Sequence, residues 1–216
     1  MFCQVEAAAL ILLREVMIEA AAILALLADR APQQYAAEPD RFAVIAVATE
    51  RAVKAALPRW HRPEKLLLAA LLTAALRESG FRKDIHSGEL RGKAGEICLV
   101  QIHPRNPVWR TVGAPSFDAL GGVDLQSTTY CLTAGALSLA RAASYCGARH
   151  YRKNWAQAMW TLYHYGSKCW LSPHAYPRTA TMWRLYNCSP VPTDEYMNLV
   201  RSVLEVDASD DIVQNR

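Results

Sequence analysis

No acidic residue occurs between Asp124 and Asp194, no CxxC pair occurs anywhere, and no long uncharged apolar run is present. Each absence excludes something. Without paired cysteines the chain has no zinc-finger or thioredoxin-like redox motif. His150, His164, Cys169 and His174 match no common zinc-ligand spacing either, so no metal is expected. The apolar start, "MFCQVEAAALILLREVMIEAAAILALLADR", is interrupted by Glu6, Arg14, Glu15 and Glu19, and its longest uncharged stretch runs only from Ala20 to Ala28. A membrane span needs about twenty apolar residues, and a signal peptide leads with positive charge. The segment therefore reads as an apolar helix that packs on something, without the marks of an export signal. There is also no internal repeat and no low-complexity tract.

The acid-free stretch is not charge-free. Arg141, Arg149, Arg152, Lys153, Lys168, Arg178 and Arg184 fall within it, although the whole chain carries only +4. A face of one sign attracts polyanions, or simply keeps the surface soluble. At 216 residues and 52% apolar, the chain can build a real core. The six cysteines (Cys3, Cys98, Cys131, Cys146, Cys169 and Cys188) are even in number and so permit disulfides. With no export signal, buried free thiols are the expected state.

Helices are expected over about 4–29, 39–56, 63–79, 124–145, 152–164, near "RTATMWRLY", and over 193–205 before a frayed acidic tail. "PEKLLLAALLTAALRES" has leucine around most of its circumference, as a buried central helix would. Pro63 suits its first position and Gly80 a left-handed cap at its end. Residues 81–104 read as loop with one small hairpin. The expected class is mainly α, with an extension over 1–57, a central domain over 58–192 and a C-terminal helix and tail over 193–216.

Glu78 ends the leucine-rich helix. A carboxylate there meets the negative end of the helix dipole and loses solvent, and both effects disfavour its ionised form. That suits a general acid at neutral pH. The plain alternative is an exposed helix-end Glu paired with Arg77 or Arg82.

The residues that follow bear on this choice. "ESGF" at 78–81, glycines at 88, 92 and 95, "CLVQIHP" at 98–104 and "LYHYGSKC" at 162–169 occur in that order. Together they resemble the lysozyme-like lytic transglycosylases of the soluble type, over roughly residues 64–170. That family has an E-S-x-F sequence at a helix end, a glycine-containing loop, a G-L-M-Q-I-x-P segment and a Y-N-x-G motif. Here Cys98 stands in the first glycine place, Val100 in the methionine place and His164 in the asparagine place, and the loop before Cys98 is longer.

The resemblance implies an α+β lysozyme-like fold, with a helical lobe and a hairpin lobe framing a glycan cleft. It implies Glu78 as the catalytic acid, Tyr163 beside it, and Ser79, Gln101, Ile102, His164 and Tyr165 as substrate-binding residues. The implied substrate is peptidoglycan, cut between N-acetylmuramic acid and N-acetylglucosamine, with no cofactor. Glu78 would protonate the leaving oxygen, then take a proton from the muramyl 6-hydroxyl to close a 1,6-anhydro ring. Hydrolysis is the competing reaction and needs a second carboxylate. The candidates are Asp84, Glu89, Glu96, Asp118 and Asp124, with Glu89 and Glu96 in the loop that should face Glu78. Arg91 and Lys93 would otherwise balance those two charges. Trp155, Trp160, Trp170 and Trp183 could stack on sugars, though most should be core.

Two routes to the cell wall suit such a chain: a phage virion or lysis protein, preferred, or a part of a secretion apparatus, with the first helix as the contact to either. A non-catalytic lysozyme-like protein is the rival from another class, supported by Cys98 and His164. No nucleic-acid-reading motif is present, so no nucleic-acid partner is expected.

Overall fold

A computed structural model describes residues 19–147, 153–165, 169–188 and 191–214. The first helical expectation falls partly outside these residues: α1 is described over 19–30 only. The remaining helices are α2 (Pro32–Ala37), α3 (Pro39–Ala56), α4 (Glu64–Glu78), α5 (Lys83–His86), α6 (Leu125–Ala142), α7 (Trp155–Tyr165), α8 (Tyr176–Tyr186) and α9 (Asp194–Gln214). The chain is mainly helical, and among the described residues no strand forms beyond one antiparallel bridge between Ile97 and Ile102. No helix among them is long and apolar enough to cross a membrane.

Composition explains the packing. The middle of α4, from Leu66 to Ala75, is almost wholly buried, so its leucines serve neighbours on several sides. In α6 the small residues Ala134, Gly135 and Ala136 let other elements approach closely. A Cβ on Gly135 would lie 2.8 Å from Val100 and 3.2 Å from Leu71, so any larger residue would push the Ile97–Ile102 turn and α4 outward. Helix α3 lies within the segment expected as an extension. It buries Phe42, Ile45, Val47 and Val53 in the same core as α4 and α6.

Several boundaries differ from expectation, those of α4 and α9 among them. Helix α4 starts at Glu64, with Pro63 just outside it at ψ 136°, because the Pro63 carbonyl receives both Trp60 Nε1 and the Leu66 amide. Helix α9 continues through the acidic segment to Gln214. Arg51 of α3 bonds Asp207 at 2.7 Å, a tie across 156 residues that no local pattern shows.

The expectation of free thiols is overturned. Cys98 is bonded to Cys131 and Cys146 to Cys169, with only Cys188 free among the described residues. These partners are 33 and 23 residues apart, and only the docking of the 97–102 turn on α6, and of the end of α6 on the segment after α7, brings them together.

A buried polar chain joins α3, α5 and α6. Arg41 bonds Glu38 at 2.7 Å, the Phe81 carbonyl at 2.9 Å and His86 Nδ1 at 3.3 Å. On its other side, His86 Nε2 lies 2.8 Å from the Thr128 hydroxyl. That hydroxyl donates to the Asp124 carbonyl, so it accepts from the imidazole, and Arg41 can only donate. The ring is thus neutral with its proton on Nε2. Burial first, and the Arg41 charge second, push the His86 pKa down to about 3. Unfolded His86 takes a proton near pH 6.5, whereas the native ring does not until about pH 3. Stability is therefore complete above pH 6.5 and lost as pH falls toward 3, by about 1.4 kcal/mol per unit. Denaturant titrations at pH 7 and pH 5 should show wild type weakened by roughly 2 kcal/mol at the lower pH. A His86→Gln variant should lose far less over the same interval.

Candidate active site

Glu78 stands where α4 stops and the chain turns sharply. Ser79 makes that turn: its hydroxyl donates to the Ala75 carbonyl at 2.7 Å and accepts the Phe81 amide at 3.2 Å. Gly80 (φ 58°) and Phe81 (φ 58°) both take the left-handed conformation. Glycine does so freely, whereas Phe81 is held there by packing on Phe42 and by Arg41 on its carbonyl. Ser79 itself is buried, so its hydroxyl is engaged with backbone.

The Glu78 side chain is only 16% exposed and faces inward. Its partner is neither Arg77 nor Arg82. Arg77 bonds Thr181 and Arg82 bonds Asp84, while Arg178 of α8 donates to Glu78 Oε1 at 2.8 Å. Arg178 is itself 18% exposed, and its Nε is buried with no acceptor among the described residues. The carboxylate thus sits beside a fixed cation instead of in a purely apolar pocket. Sequence reasoning missed Arg178, which is 100 residues away.

The turn at 97–102 is the next element of the cluster. The Ile97 and Ile102 amides and carbonyls exchange bonds at 3.0 and 3.1 Å, and both side chains are buried. Cys98 (φ 69°) and Gln101 (φ 50°) flank the tip in left-handed conformations. Cys98 stands where the resembled family has glycine, and the disulfide to Cys131 of α6 holds it there. Leu99 and Val100 plug into the core. The Gln101 side-chain amide donates to the Cys98 carbonyl at 3.1 Å, bracing the turn.

The third element is α7. The Tyr163 hydroxyl donates to the Val100 carbonyl at 3.0 Å, and its ring meets Trp160 edge-on. Burial raises the pKa of that hydroxyl far above the usual phenol value, and the nearby Glu78 charge raises it further, with Arg178 opposing. Tyr163 therefore stays a neutral donor at any physiological pH. Glu78, the 97–102 turn, Tyr163 and Arg178 form one cluster from four separate stretches of chain. His164 is exposed on α7, and the side chain of Tyr165 lies outside the described residues, as do Gly166, Ser167 and Lys168.

Four of the five candidate second carboxylates have other partners. Asp84 pairs with Arg82 and Asp118 with Arg91. Asp124 caps α6 by accepting the Ser127 amide. Glu96 curls back to accept the Ala94 amide at 2.9 Å, in a turn where Gly92 leaves it room. Arg91 thus balances Asp118 instead of Glu89 or Glu96. Glu89 is exposed. Trp155 and Trp160 are buried, whereas Trp170 and Trp183 are partly exposed. Cys169 is a disulfide partner and His150 lies outside the described residues; no group of metal-ligating side chains occurs among the described ones.

No protein-family model, curated protein or solved structure matches this chain.

Proposed function

We propose that the protein cleaves peptidoglycan glycan strands as a lytic transglycosylase, with Glu78 as its acid and then its base. The observation that carries the reading is that Tyr163, from the last of the three motifs, lies beside Glu78 of the first and bonds the backbone of the second. Chance motif matches would not be expected to meet in this way. The engagement of Asp84, Asp118, Asp124 and Glu96 elsewhere favours a single-carboxylate reaction over hydrolysis. In this mechanism Glu78 protonates the glycosidic oxygen while the substrate's acetamido carbonyl supports the sugar cation. The same carboxylate then removes the 6-hydroxyl proton as the anhydro ring closes. Arg178 must move off Glu78, or share it with substrate, before the proton is given. Two disulfides suit a protein that works in an oxidising compartment, as the cell wall is.

One observation favours a second reading. The Arg178–Glu78 pair fills the site with an ion pair, as a non-catalytic lysozyme-like protein could do without loss. Mass spectrometry of sacculi digested by the protein separates the readings. Anhydromuramyl ends, lighter by one water than reducing ends, are expected. Reducing ends would mean hydrolysis, and unaltered sacculi would favour the non-catalytic protein.

A further inference from the structure

A concavity lies beside the segment that leads into α4. It holds about 560 Å³ and lies between Pro58–His61, the Pro107–Thr111 turn and the end of α6. Glu78 is a helix length away, about 20 Å at 1.5 Å per residue. The floor is small and apolar: Val108, Leu137 and Ala140. Arg59, His61 and Arg141 stand at the rim, and among the described residues no carboxylate lines it.

The two arginines differ from most others in the described chain. Arg30, Arg41, Arg51, Arg82, Arg91 and Arg178 meet carboxylates. Arg77 bonds a hydroxyl, and Arg62 and Arg110 lie over the rings of Trp155 and Trp109. Arg59 and Arg141 are exposed, and among the described residues their guanidinium groups meet no carboxylate. Two guanidiniums without counterions above an apolar floor select an anion that carries small aliphatic groups. The volume is in the range of sites for small ligands. Among the described residues Tyr145 and the imidazole of His61 are the only rings in the lining, too few for the run of stacked bases that single-stranded nucleic acid makes.

We infer that this cleft binds a short acidic peptide with small aliphatic side chains, carboxylates on Arg59 and Arg141 and methyl groups on Val108, Leu137 and Ala140. The inference does not require Glu78 to be catalytic. Titration calorimetry with the tripeptides Ala-Glu-Ala and Ala-Gln-Ala, and with inorganic phosphate, tests it on the full chain. Ala-Glu-Ala should bind at least tenfold more tightly than either other probe, and the Arg59→Ala/Arg141→Ala variant should lose at least tenfold. Both residues are exposed, so the variant should fold, which circular dichroism checks. A Lys153→Ala variant, altered outside the cleft lining, and a Glu78→Gln variant should bind as wild type does. Phosphate binding as tight as the acidic peptide's would overturn the inference, as would no peptide binding or undiminished binding by the double variant.

Discussion

Glu78→Gln should lower the clearance of sacculi by on the order of 10³-fold, the usual contribution of a positioned general acid. Glutamine keeps the size of the side chain and an oxygen for the Arg178 N–H, but it can neither give nor take the proton. The substitution removes the countercharge from a guanidinium that is only 18% exposed, at a cost on the order of 1–3 kcal/mol. Thermal unfolding of the variant therefore has to be recorded beside the assay, and clearance compared well below both transitions. A folded variant that clears sacculi as fast as wild type would remove Glu78 from the chemistry and with it the transglycosylase reading.

Replacing both Cys98 and Cys131 by alanine should cost roughly 4 kcal/mol, from the freedom regained by a 33-residue loop in the unfolded chain. A local strain remains after the substitution. Alanine at 98 has to hold φ 69° with a Cβ just as Cys98 does, at about 1–2 kcal/mol that this substitution leaves unchanged. Cys98→Gly with Cys131→Ala should recover about 1 kcal/mol of this, because glycine takes that conformation freely. Chemical denaturation of the two double variants gives the comparison directly. Equal stabilities would mean that the turn relaxes out of its left-handed conformation once untethered. Activity should fall further than stability, since Val100, which receives the Tyr163 hydroxyl, is two residues from the released position.

The helices were legible because their signals are local. The leucine-rich run before Glu78, the prolines at 39 and 63 and the glycine at 80 act within a turn or two of chain, and α3 and α4 begin and end within a residue or so of where the sequence places them. The candidate cluster was partly legible. Glu78, Gln101 and Tyr163 carry motif signals, and the chain brings the first and last within electrostatic reach. Gln101 turned out to brace its own turn. Arg178 had no motif; its one signal was an excess of cations in a stretch without acids, which says that they must seek partners elsewhere but not which ones.

By itself the sequence determined the helical class, the place where α4 must stop and the acid that stands there, since propensity, capping and apolar spacing are properties of neighbouring residues. Tertiary structure alone decided which cysteines are joined, that Arg178 answers Glu78 and that His86 is buried neutral against Arg41. Each of these depends on groups distant along the chain that meet only when α3, α4, α6 and α8 close on a shared core. The energy of such a meeting depends on distance and burial, neither of which is written in the order of the residues.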